Sequence, residues 1–324
     1  IRSLKRFAAD QAGREPVPAA APPREGGARV AIVGAGPAGL TAAYYLARAG
    51  HRPAVFDALP EAGGMMRVGI PAYRLPRNVL EADIAAIQRA GVAIETGTRI
   101  ESTDALFAQG YAAVLVALGA HRGVRMGIAG EQSPGVVDAL AFLREVNTGK
   151  NPPVAPRVAV IGGGNSAVDA ARTCLRLGAG EVTILYRRTR EEMRAYPGEV
   201  EEAVREGVRL ELLAVPERIV PAAGLLRVEC LRAAAGEKDT RGLPVTVAGS
   251  RFGVEAAMVI AAVGQEPDIP AGFGLALAGR TVPVGPDGVA TAKPGLFAAA
   301  DCVTGPRSVI EAIAGGRQAA AAID

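Results

Sequence analysis

The chain has 324 residues, 49% of them hydrophobic, and a formal net charge of +3. This length fits one large or two ordinary domains with substantial cores. No basic block with interleaved aromatic residues appears, so the composition argues against a nucleic-acid-binding surface. The apolar runs are too short to span a bilayer, and we expect neither a nucleic acid nor a membrane span.

Cysteine and histidine are scarce. The cysteines Cys174, Cys230 and Cys302 are far apart, and the histidines are His51 and His121. This spacing matches neither a disulfide framework, a Cys-x-x-Cys pair nor a metal-ligand set. We therefore expect idle thiols in a reducing, cytoplasmic protein, and no metal site.

The beginning of the chain differs from the rest. Residues 1–28 predict a short helix over Ser3–Ala12, followed by an extended linker with the sequence REPVPAAAPPREGGA. The chain opens with Ile1 instead of methionine, and we expect it to be a piece of a longer protein.

A first dinucleotide-binding pattern begins at Arg29, in RVAIVGAGPAGLTAAYYLARAGHRPAVFDA. It predicts a buried parallel strand over Val30–Val33, a glycine turn, a helix from about Pro37 to Ala49, and a second strand that ends at Asp57. We refer to Gly34–Gly39 as the first glycine turn. With 41 glycines in the chain, the context of strand and helix is what makes this pattern informative.

Each conserved position of such a turn has a physical role. Gly34 permits the tight bend, Gly36 lets the backbone approach a pyrophosphate, and Gly39 lets the helix pack on the strand. The helix N-terminus then presents free N–H groups to the phosphates. Asp57 is placed to accept hydrogen bonds from both ribose hydroxyls. The alternative is a glycine-rich turn without a ligand.

Residues 158–186, VAVIGGGNSAVDAARTCLRLGAGEVTILY, repeat the pattern. The second glycine turn has Gly162 and Gly164, with Ala167 in the third position, which the pattern tolerates. In place of the acid stand Arg187 and Arg188. A guanidinium binds a 2′-phosphate through paired, charge-assisted hydrogen bonds, whereas a carboxylate repels it. The second turn therefore predicts NADP(H).

Two interpretations of these arginines stay open. In the first they bind the 2′-phosphate, and Arg194, further along the same segment, is close enough in sequence to contact the same phosphate or the adenine. In the second they form a solvated face whose charge Glu191 and Glu192 neutralise.

The C-terminal stretch predicts a strand, a loop and a helix over about Arg307–Ala322, which has no glycine turn of its own. It most simply returns to the first domain. We therefore predict an α/β fold of two Rossmann-type domains, with the second domain inserted in the first. The expected segments are an N-terminal helix and linker at residues 1–28, the first part of the first domain at 29–150, the inserted second domain at 151–264 and the rest of the first domain at 265–324.

Three stretches together resemble a known family. They are GGMMRVGIPAYRLP at 63–76, VIGGGNSAVDAARTCLRLGA with VTILYRRTREEMRA in the second copy, and GLFAAADCVTG with VIEAIAGGRQAA near the end. From residue 29 onward the chain resembles glutamate synthase small (beta) subunits. The same family includes the flavoprotein domain of dihydropyrimidine dehydrogenase and NADPH-dependent ferredoxin:NADP oxidoreductases.

The resemblance implies FAD in the first domain and NADPH in the second, so that the NADPH domain is inserted in the FAD domain. It also implies a set of contact residues for each cofactor. Asp57 would hold the adenosine ribose, Asp301 the ribityl chain, and the backbone at Ser308 and Val309 would face the pyrimidine edge of the flavin. The implied FAD contacts are Gly34, Ala35, Gly36, Pro37, Ala38, Gly39, Asp57, Gly64, Met65, Arg74, Asp301, Ser308 and Val309. The implied NADPH contacts are Gly163, Gly164, Asn165, Ser166, Arg187, Arg188, Arg194, Ala262 and Gly264.

Three departures from the family pattern stand out. Ala300 occupies a position that is usually glycine, and Asp57 one where glutamate is common. The family also has an N-terminal cysteine-rich domain that holds iron–sulfur clusters. Here only what resembles its final helix, IRSLKRFAADQA, is present.

The resemblance implies an NADPH-dependent FAD oxidoreductase that serves as an electron-input module. Hydride passes from the nicotinamide to the flavin, so no catalytic acid or base is assigned. The expected acceptor is an iron–sulfur cluster in another domain or subunit. The alternatives are a stand-alone NADPH:ferredoxin or quinone oxidoreductase, a redox-inert nucleotide-binding structural module, and a reader of NADPH levels.

Overall fold

The structure, a computed structural model, describes most of the chain, namely residues 2–11, 24, 26–240 and 242–324. Helix α1 (Arg2–Gln11) matches the predicted first helix, and its apolar side chains Leu4 and Phe7 are exposed. The predicted helix end at Ala12 and most of the predicted linker lie outside the described residues.

Five parallel strands form the sheet of the first unit. In spatial order they are β16 (Leu296–Ala298), β4 (Ala113–Val116), β1 (Arg29–Val33), β2 (Arg52–Phe56) and β3 (Ala93–Glu95). From the central β1 the chain passes to β2 on one side and later to β4 on the other. Such a reversal opens a crevice at the carboxyl ends of the strands.

Helices cover this sheet on both faces. Those of the first unit are α2 (Pro37–Arg48), α3 (Met65–Val68), α4 (Arg77–Arg89), α5 (Thr103–Ala108), α9 (Asp301–Thr304) and α10 (Val309–Ile323). A 3-10 turn spans Ala271–Phe273. Along β1, Val30 and Ile32 enter one core while Ala31 and Val33 enter the other, which explains its uninterrupted apolar sequence.

Helices α2 and α10 pack closely because a glycine lies at their contact. A Cβ added at Gly316 would lie 2.2 Å from the carbonyl oxygen of Ala38. Only a residue without a side chain permits this approach. The last helix is thereby held against the helix that begins at the first glycine turn.

The second unit repeats the plan. Its parallel strands, in spatial order, are β6 (Val136–Asp138), β14 (Met258–Ala261), β7 (Arg157–Ile161), β8 (Glu181–Tyr186) and β9 (Arg209–Leu212). Its helices are α6 (Ala139–Asn147), α7 (Asn165–Arg176) and α8 (Pro197–Arg205). Strand β7 takes the central place that β1 has in the first unit.

The helices of the second unit pack on one face of its parallel sheet, and an antiparallel sheet covers the opposite face. Its strands are β10 (Ala214–Ala222), β11 (Leu225–Lys238), β12 (Pro244–Thr246) and β13 (Phe252–Ala256). Side chains of both sheets share one core, with Ile161 and Val259 from the parallel sheet and Val228 from the antiparallel one.

The chain crosses between the units twice at one place. On the way out it forms β5 (Arg122–Gly123), and on the way back β15 (Gln265–Glu266), and these two strands pair antiparallel. Strand β16 and α10 follow the second unit in sequence but complete the first. The predicted insertion of one Rossmann-type domain in another is therefore the observed architecture.

The boundary between the units lies ahead of residue 150 by strand pairing. Strand β6 pairs with β14 in the second sheet, and Ala139, Phe142 and Leu143 of α6 are buried in the core of the second unit. The predicted boundary between residues 150 and 151 leaves these elements with the first unit. The pairing favours a boundary before Val136. The sequence did not indicate this boundary, because the short β6 has no strand pattern of its own.

Candidate functional site

The first glycine turn lies at the carboxyl edge of the first sheet, where β1 ends. Gly34 has φ of 115°, and a Cβ added there would lie 2.4 Å from the carbonyl oxygen of Ala117. A Cβ at Gly39 would lie 1.9 Å from the carbonyl oxygen of Gly34. Gly34 therefore serves the bend and Gly39 the packing of α2, as predicted for those positions.

Gly36 is different, because its missing side chain faces open space. The nearest atom to an added Cβ is the Cα of Gly64, 4.0 Å away. Gly64 itself has φ of 51°, and a Cβ there would lie 2.8 Å from the Cα of Gly36. The backbones of the two glycines therefore approach each other closely at the N-terminus of α2, a place suited to a pyrophosphate.

The neighbours of these glycines have structural tasks. Pro37 occupies the first turn of α2, where its missing N–H is no loss. Ala35 and Ala38 are buried beneath the turn. Met65 begins α3 directly after Gly64.

Asp57 is held rigidly beside the first glycine turn. Its side chain is buried, Oδ2 accepts a hydrogen bond from the N–H of Ala35 at 2.7 Å, and Oδ1 accepts one from Leu59 at 2.8 Å. An ionised carboxylate has about four lone-pair positions, so each oxygen retains capacity for a further donor. The arrangement fits a pair of ribose hydroxyls.

The end of β16 brings a further acid to the same edge. Ala300 has φ of 67° and ψ of −152°, a conformation that strongly favours glycine. It leads into Asp301, whose Oδ1 accepts a hydrogen bond from the N–H of Arg307 at 3.2 Å. Burial raises the pKa of Asp301 to about 6, from an ordinary value of 3.8.

Helix α10 begins with a capping box. The hydroxyl of Ser308 accepts from the N–H of Glu311, and the N–H of Ser308 donates to Oε2 of Glu311 at 3.0 Å. Bonds from Ser308 lower the pKa of Glu311 to about 2. The N–H of Ser308 is thus already used in the cap, and Val309 is the first helical residue. The expected flavin contact at this pair stays a prediction.

The second glycine turn has the same design. Gly162 has φ of 150°, and a Cβ there would lie 2.3 Å from the carbonyl oxygen of Ala262. A Cβ at Gly163 would lie 2.3 Å from the ring of Tyr186, whereas one at Gly164 would meet nothing within 4 Å. Gly164 therefore borders open space in front of α7, as Gly36 does in front of α2.

Polar side chains of this turn are fixed by neighbouring segments. Oδ1 of Asn165 accepts from the N–H of Tyr196 at 3.1 Å, and Oγ of Ser166 accepts from Nε2 of Gln265 at 3.0 Å. Gly264, with φ of 144°, accepts through its carbonyl oxygen from the N–H of Val124 at 3.0 Å. The turn is thereby joined to the β5–β15 crossing.

The arginines that follow β8 gather around Tyr186. Burial raises the pKa of the Tyr186 hydroxyl, and the positive charges of Arg188, Arg187 and Arg194 oppose that rise. Arg188 donates from Nη2 to the carbonyl oxygen of Gly242 at 3.2 Å, while its buried Nε has no hydrogen-bond partner among the described residues.

The open alternative concerned neutralisation of these arginines by acids. Across the described part of the chain, no salt bridge joins Arg187, Arg188 or Arg194 to a carboxylate. Arg187 and Arg188 follow β8 at the same position where Asp57 follows β2 in the first unit. An anion such as a 2′-phosphate fits this place.

Arg74 has partners that the sequence did not indicate. Its guanidinium donates to both carboxylate oxygens of Asp169 in the second unit. The FAD contact implied for Arg74 stays a prediction. No local pattern signals this pair, because the residues are 95 positions apart.

Two parallel sheets, each with a glycine turn at the end of its central strand, define a flavoprotein-type oxidoreductase with two dinucleotide sites. The chain matches the sequence profile described as "Pyridine nucleotide-disulphide oxidoreductase" over residues 28–316, and it belongs to that family. This confirms the predicted fold class and family resemblance. The family description agrees with the predicted enzyme class, an oxidoreductase that uses a pyridine nucleotide.

The chain is similar to subunits of larger enzymes. It is 42% identical to the "NADP(+)-dependent formate dehydrogenase subunit beta" of Moorella thermoacetica, with 100% of this chain and 50% of that protein covered. It is 36% identical to the "Glutamate synthase [NADPH] small chain" of Escherichia coli K12, with 92% of this chain and 68% of that protein covered. The chain thus spans half the length of the first of these relatives.

The fold is also that of a solved structure, Mycobacterium tuberculosis FprA in complex with NADPH. The TM-score is 0.78 at 17% identity, with 92% of this chain and 84% of the other covered. At this identity the likeness concerns the fold alone. None of the helices in the described segments is long and apolar enough to cross a membrane; a cytoplasmic location stays a prediction.

The family description mentions disulphides, which raises the question of the cysteines. Cys174, Cys230 and Cys302 are all free and buried. Burial raises the pKa of each thiol to about 12. Because disulfide exchange requires an accessible thiolate, these cysteines are chemically idle.

Proposed function

We propose that this chain is a flavoprotein electron-input module of the glutamate synthase small-subunit type. It takes hydride from NADPH onto FAD and passes electrons to an iron–sulfur cluster or a partner subunit. One observation carries the proposal: equivalent positions of two like units have opposite charge, Asp57 after β2 and Arg187 with Arg188 after β8.

The first unit would hold FAD. The backbone of the first glycine turn at Gly36 would face the pyrophosphate, with Asp57 at the adenosine ribose and Asp301 at the ribityl hydroxyls. Each of these groups lies at the carboxyl edge of the first sheet, in the crevice expected for a ligand. Because Gly36 has no side chain, the pyrophosphate of the cofactor could approach its backbone closely.

The second unit would hold NADPH. The open side of Gly164 takes the pyrophosphate, and Arg187, Arg188 and Arg194 surround the 2′-phosphate. The Nε of Arg188 is buried and has no hydrogen-bond partner among the described residues, so an acceptor from that phosphate would satisfy it. Charge-assisted hydrogen bonds of this kind contribute about 1.5–3 kcal/mol each.

When both are bound, the nicotinamide supplies a hydride and the isoalloxazine accepts it. The side chains of the protein then have the tasks of binding, orienting and excluding water. No acid or base is needed for that transfer, which agrees with the absence of an assigned catalytic side chain.

The acceptor is proposed from the relatives and from the cysteine count. Both named relatives are single subunits, "subunit beta" and "small chain", of proteins that act with other chains. The three buried cysteines leave this chain no sulfur ligand set for a cluster. The iron–sulfur group would therefore belong to another domain or subunit.

The test uses the purified chain loaded with FAD. NADPH added without oxygen should bleach the flavin absorbance, and ferricyanide should restore it over many turnovers. Glutamine with 2-oxoglutarate should give no glutamate unless a partner subunit is added.

Three other outcomes would overturn the proposal. Glutamate formation by this chain alone would show a complete synthase. A fully FAD-loaded protein that NADPH does not reduce would instead be a structural nucleotide-binding module. Rapid NADPH oxidation with ferredoxin or a quinone alone would identify the stand-alone reductase.

A further inference from the structure

The segment between α3 and α4 reaches from the first unit onto the second. Tyr73 and Arg74 lie on this segment, which follows Gly64 and Met65 of the first site. Both side chains contact α7, and Arg74 also contacts α8. Helix α7 is the one that begins directly after the second glycine turn, so this segment joins the surroundings of the two sites.

Arg74 makes the central contact. Its Nη1 donates to Oδ1 and Oδ2 of Asp169 at 2.9 and 2.7 Å, and its Nε lies 3.1 Å from Oε1 of Glu199. The Arg74 and Asp169 side chains are 18% and 5% exposed. Charge-assisted bonds shielded from water in this way are strong and require a defined geometry.

Further charges hold these partners in place. Arg172 donates to Glu199 at 2.6 Å and to Glu206 at 2.7 Å, and Arg176 donates to Glu206. The guanidinium groups of Arg176 and Arg172 lie 3.9 and 5.0 Å from the ring centroid of Tyr73. With the central pair, three arginines face three carboxylates, so the charges of the cluster balance.

A second hydrogen bond also joins the two units. Nδ2 of Asn147 on α6 donates to the carbonyl oxygen of Val68 on α3 at 3.0 Å. The chain crossings, β5 and β15, have two residues each. Relative motion is the default expectation for domains joined in this way, unless something at their boundary opposes it. A buried ion pair adds little stability but opposes any motion that separates its partners.

We propose that Arg74 and Asp169 are positioning residues that keep the second unit in one orientation against the first, the orientation in which NADPH reduces FAD. This proposal rests on the proposed function. The pair acts through the placement of α7, without contact with the reacting atoms. This positioning role differs from the FAD contact that the resemblance implies for Arg74. The positioning role predicts slower flavin reduction in Asp169→Asn, whereas an FAD contact of Arg74 alone predicts an unchanged rate.

The experiment uses the full FAD-loaded chain with Arg74→Met, Asp169→Asn, and both changes together. The double variant leaves no central charge unpaired, so it is informative if Arg74→Met does not fold. Arg209→Met is the control, because Arg209 pairs with Glu181 at 2.7 Å inside the second unit. Flavin content, NADP+ affinity and the anaerobic rate of flavin reduction at saturating NADPH are measured for each.

The positioning role predicts a separation of these quantities. The rate should fall by about tenfold or more in all three variants, because small misplacements of reactants are costly. Flavin content and NADP+ affinity should stay within about twofold of the parent, and Arg209→Met should change nothing. Asp169→Asn with an unchanged rate, or an equal loss in Arg209→Met, would overturn the proposal. Loss of flavin in Arg74→Met alone would make Arg74 an FAD ligand instead.

Orientation is measured directly by a distance between two spin labels. The labels are placed on the exposed Gln88 of α4 and Glu201 of α8 through Gln88→Cys and Glu201→Cys, since the natural cysteines are buried. The parent should give one narrow distance distribution and Asp169→Asn a broader or displaced one. An unchanged distribution would overturn the positioning role. This readout remains valid even if NADPH fails to reduce the flavin, a result that would instead refute the proposed function.

Discussion

The two glycine turns share a backbone plan and differ in the residue that follows the next strand. In the first unit this is Asp57, buried and held by the N–H groups of Ala35 and Leu59. In the second unit it is the exposed Arg187 with Arg188. In the proposed function, the fold would provide the place for a pyrophosphate in both cases. The charge after the second strand would then decide whether ribose hydroxyls or a phosphate bind beside it.

The two units also differ in the residues at the ends of their edge strands, β16 in the first sheet and β6 in the second. Strand β6 ends at Asp138, which has φ of −77° and caps α6 by accepting from the N–H of Ala141 at 2.9 Å. Strand β16 is followed, after Ala299, by Ala300, with φ of 67°, and by Asp301, which has a raised pKa. The first unit thus keeps strain and a costly charge at a place where the second has an ordinary helix cap. Such features cluster at functional sites.

The largest expected effects come from filling the two open spaces. Gly36→Val should abolish FAD binding while NADP+ binding persists, and Gly164→Val should abolish NADP+ binding while FAD stays bound. Both glycines have backbone angles that valine adopts without strain, with φ of −78° and −94°. Flavin content from the absorption spectrum and NADP+ affinity by calorimetry check this pair of variants.

Gly39→Val is the contrast to Gly36→Val, because the valine side chain would overlap with the carbonyl oxygen of Gly34. It should destabilise the whole protein instead of removing one ligand. Retention of full flavin content in Gly36→Val would contradict the assignment of the first site.

Asp301→Asn should stabilise the FAD-free protein at pH 8 and leave its stability almost unchanged at pH 4. The pKa of Asp301 is raised from 3.8 to about 6, so its favourable contribution is complete below pH 4 and is lost as the pH rises through 6. A shift of this size corresponds to about 1–3 kcal/mol at pH 8. Urea denaturation at both pH values measures the difference, and an equal gain at both would argue against burial of the charge.

Ala300→Gly should give a smaller gain, of about 1 kcal/mol, by relieving a strained backbone at some cost in unfolded-state entropy. Ala299 is the matched control, since its φ is not among the positive ones in the described chain. Ala299→Gly should destabilise, because a glycine there gains conformational freedom in the unfolded chain. Thermal unfolding compares the two, and a loss in both would mean that Ala300 is not strained.

Much of this arrangement could be predicted from the sequence because it depends on local patterns. The roles of Gly34 and Gly39 and the position of Asp57 follow from a strand, a turn and a helix that are contiguous in the chain. The insertion could be predicted because the last strand and helix had no glycine turn of their own. The unusual backbone of Ala300 agrees with the glycine expected there from the resemblance.

The rest depends on partners distant in sequence. Arg74 meets Asp169 across the boundary of the units, and strand β6 joins a sheet whose neighbouring strand, β14, lies 122 residues further on, from Val136 to Met258. The capping box of α10 is a local pattern, in which the N–H of Ser308 donates to Glu311.

The most direct test of the account is the nucleotide preference of Arg187→Ala with Arg188→Ala, with Arg190→Ala as a control from the same segment. The account predicts that kcat/KM for NADPH falls by one to several powers of ten, because charge-assisted bonds of about 1.5–3 kcal/mol each are lost. The value for NADH, which has no 2′-phosphate, should change little, and Arg190→Ala should alter neither. Equal losses with NADPH and NADH would contradict the claim that opposite charges in the two units select different dinucleotides.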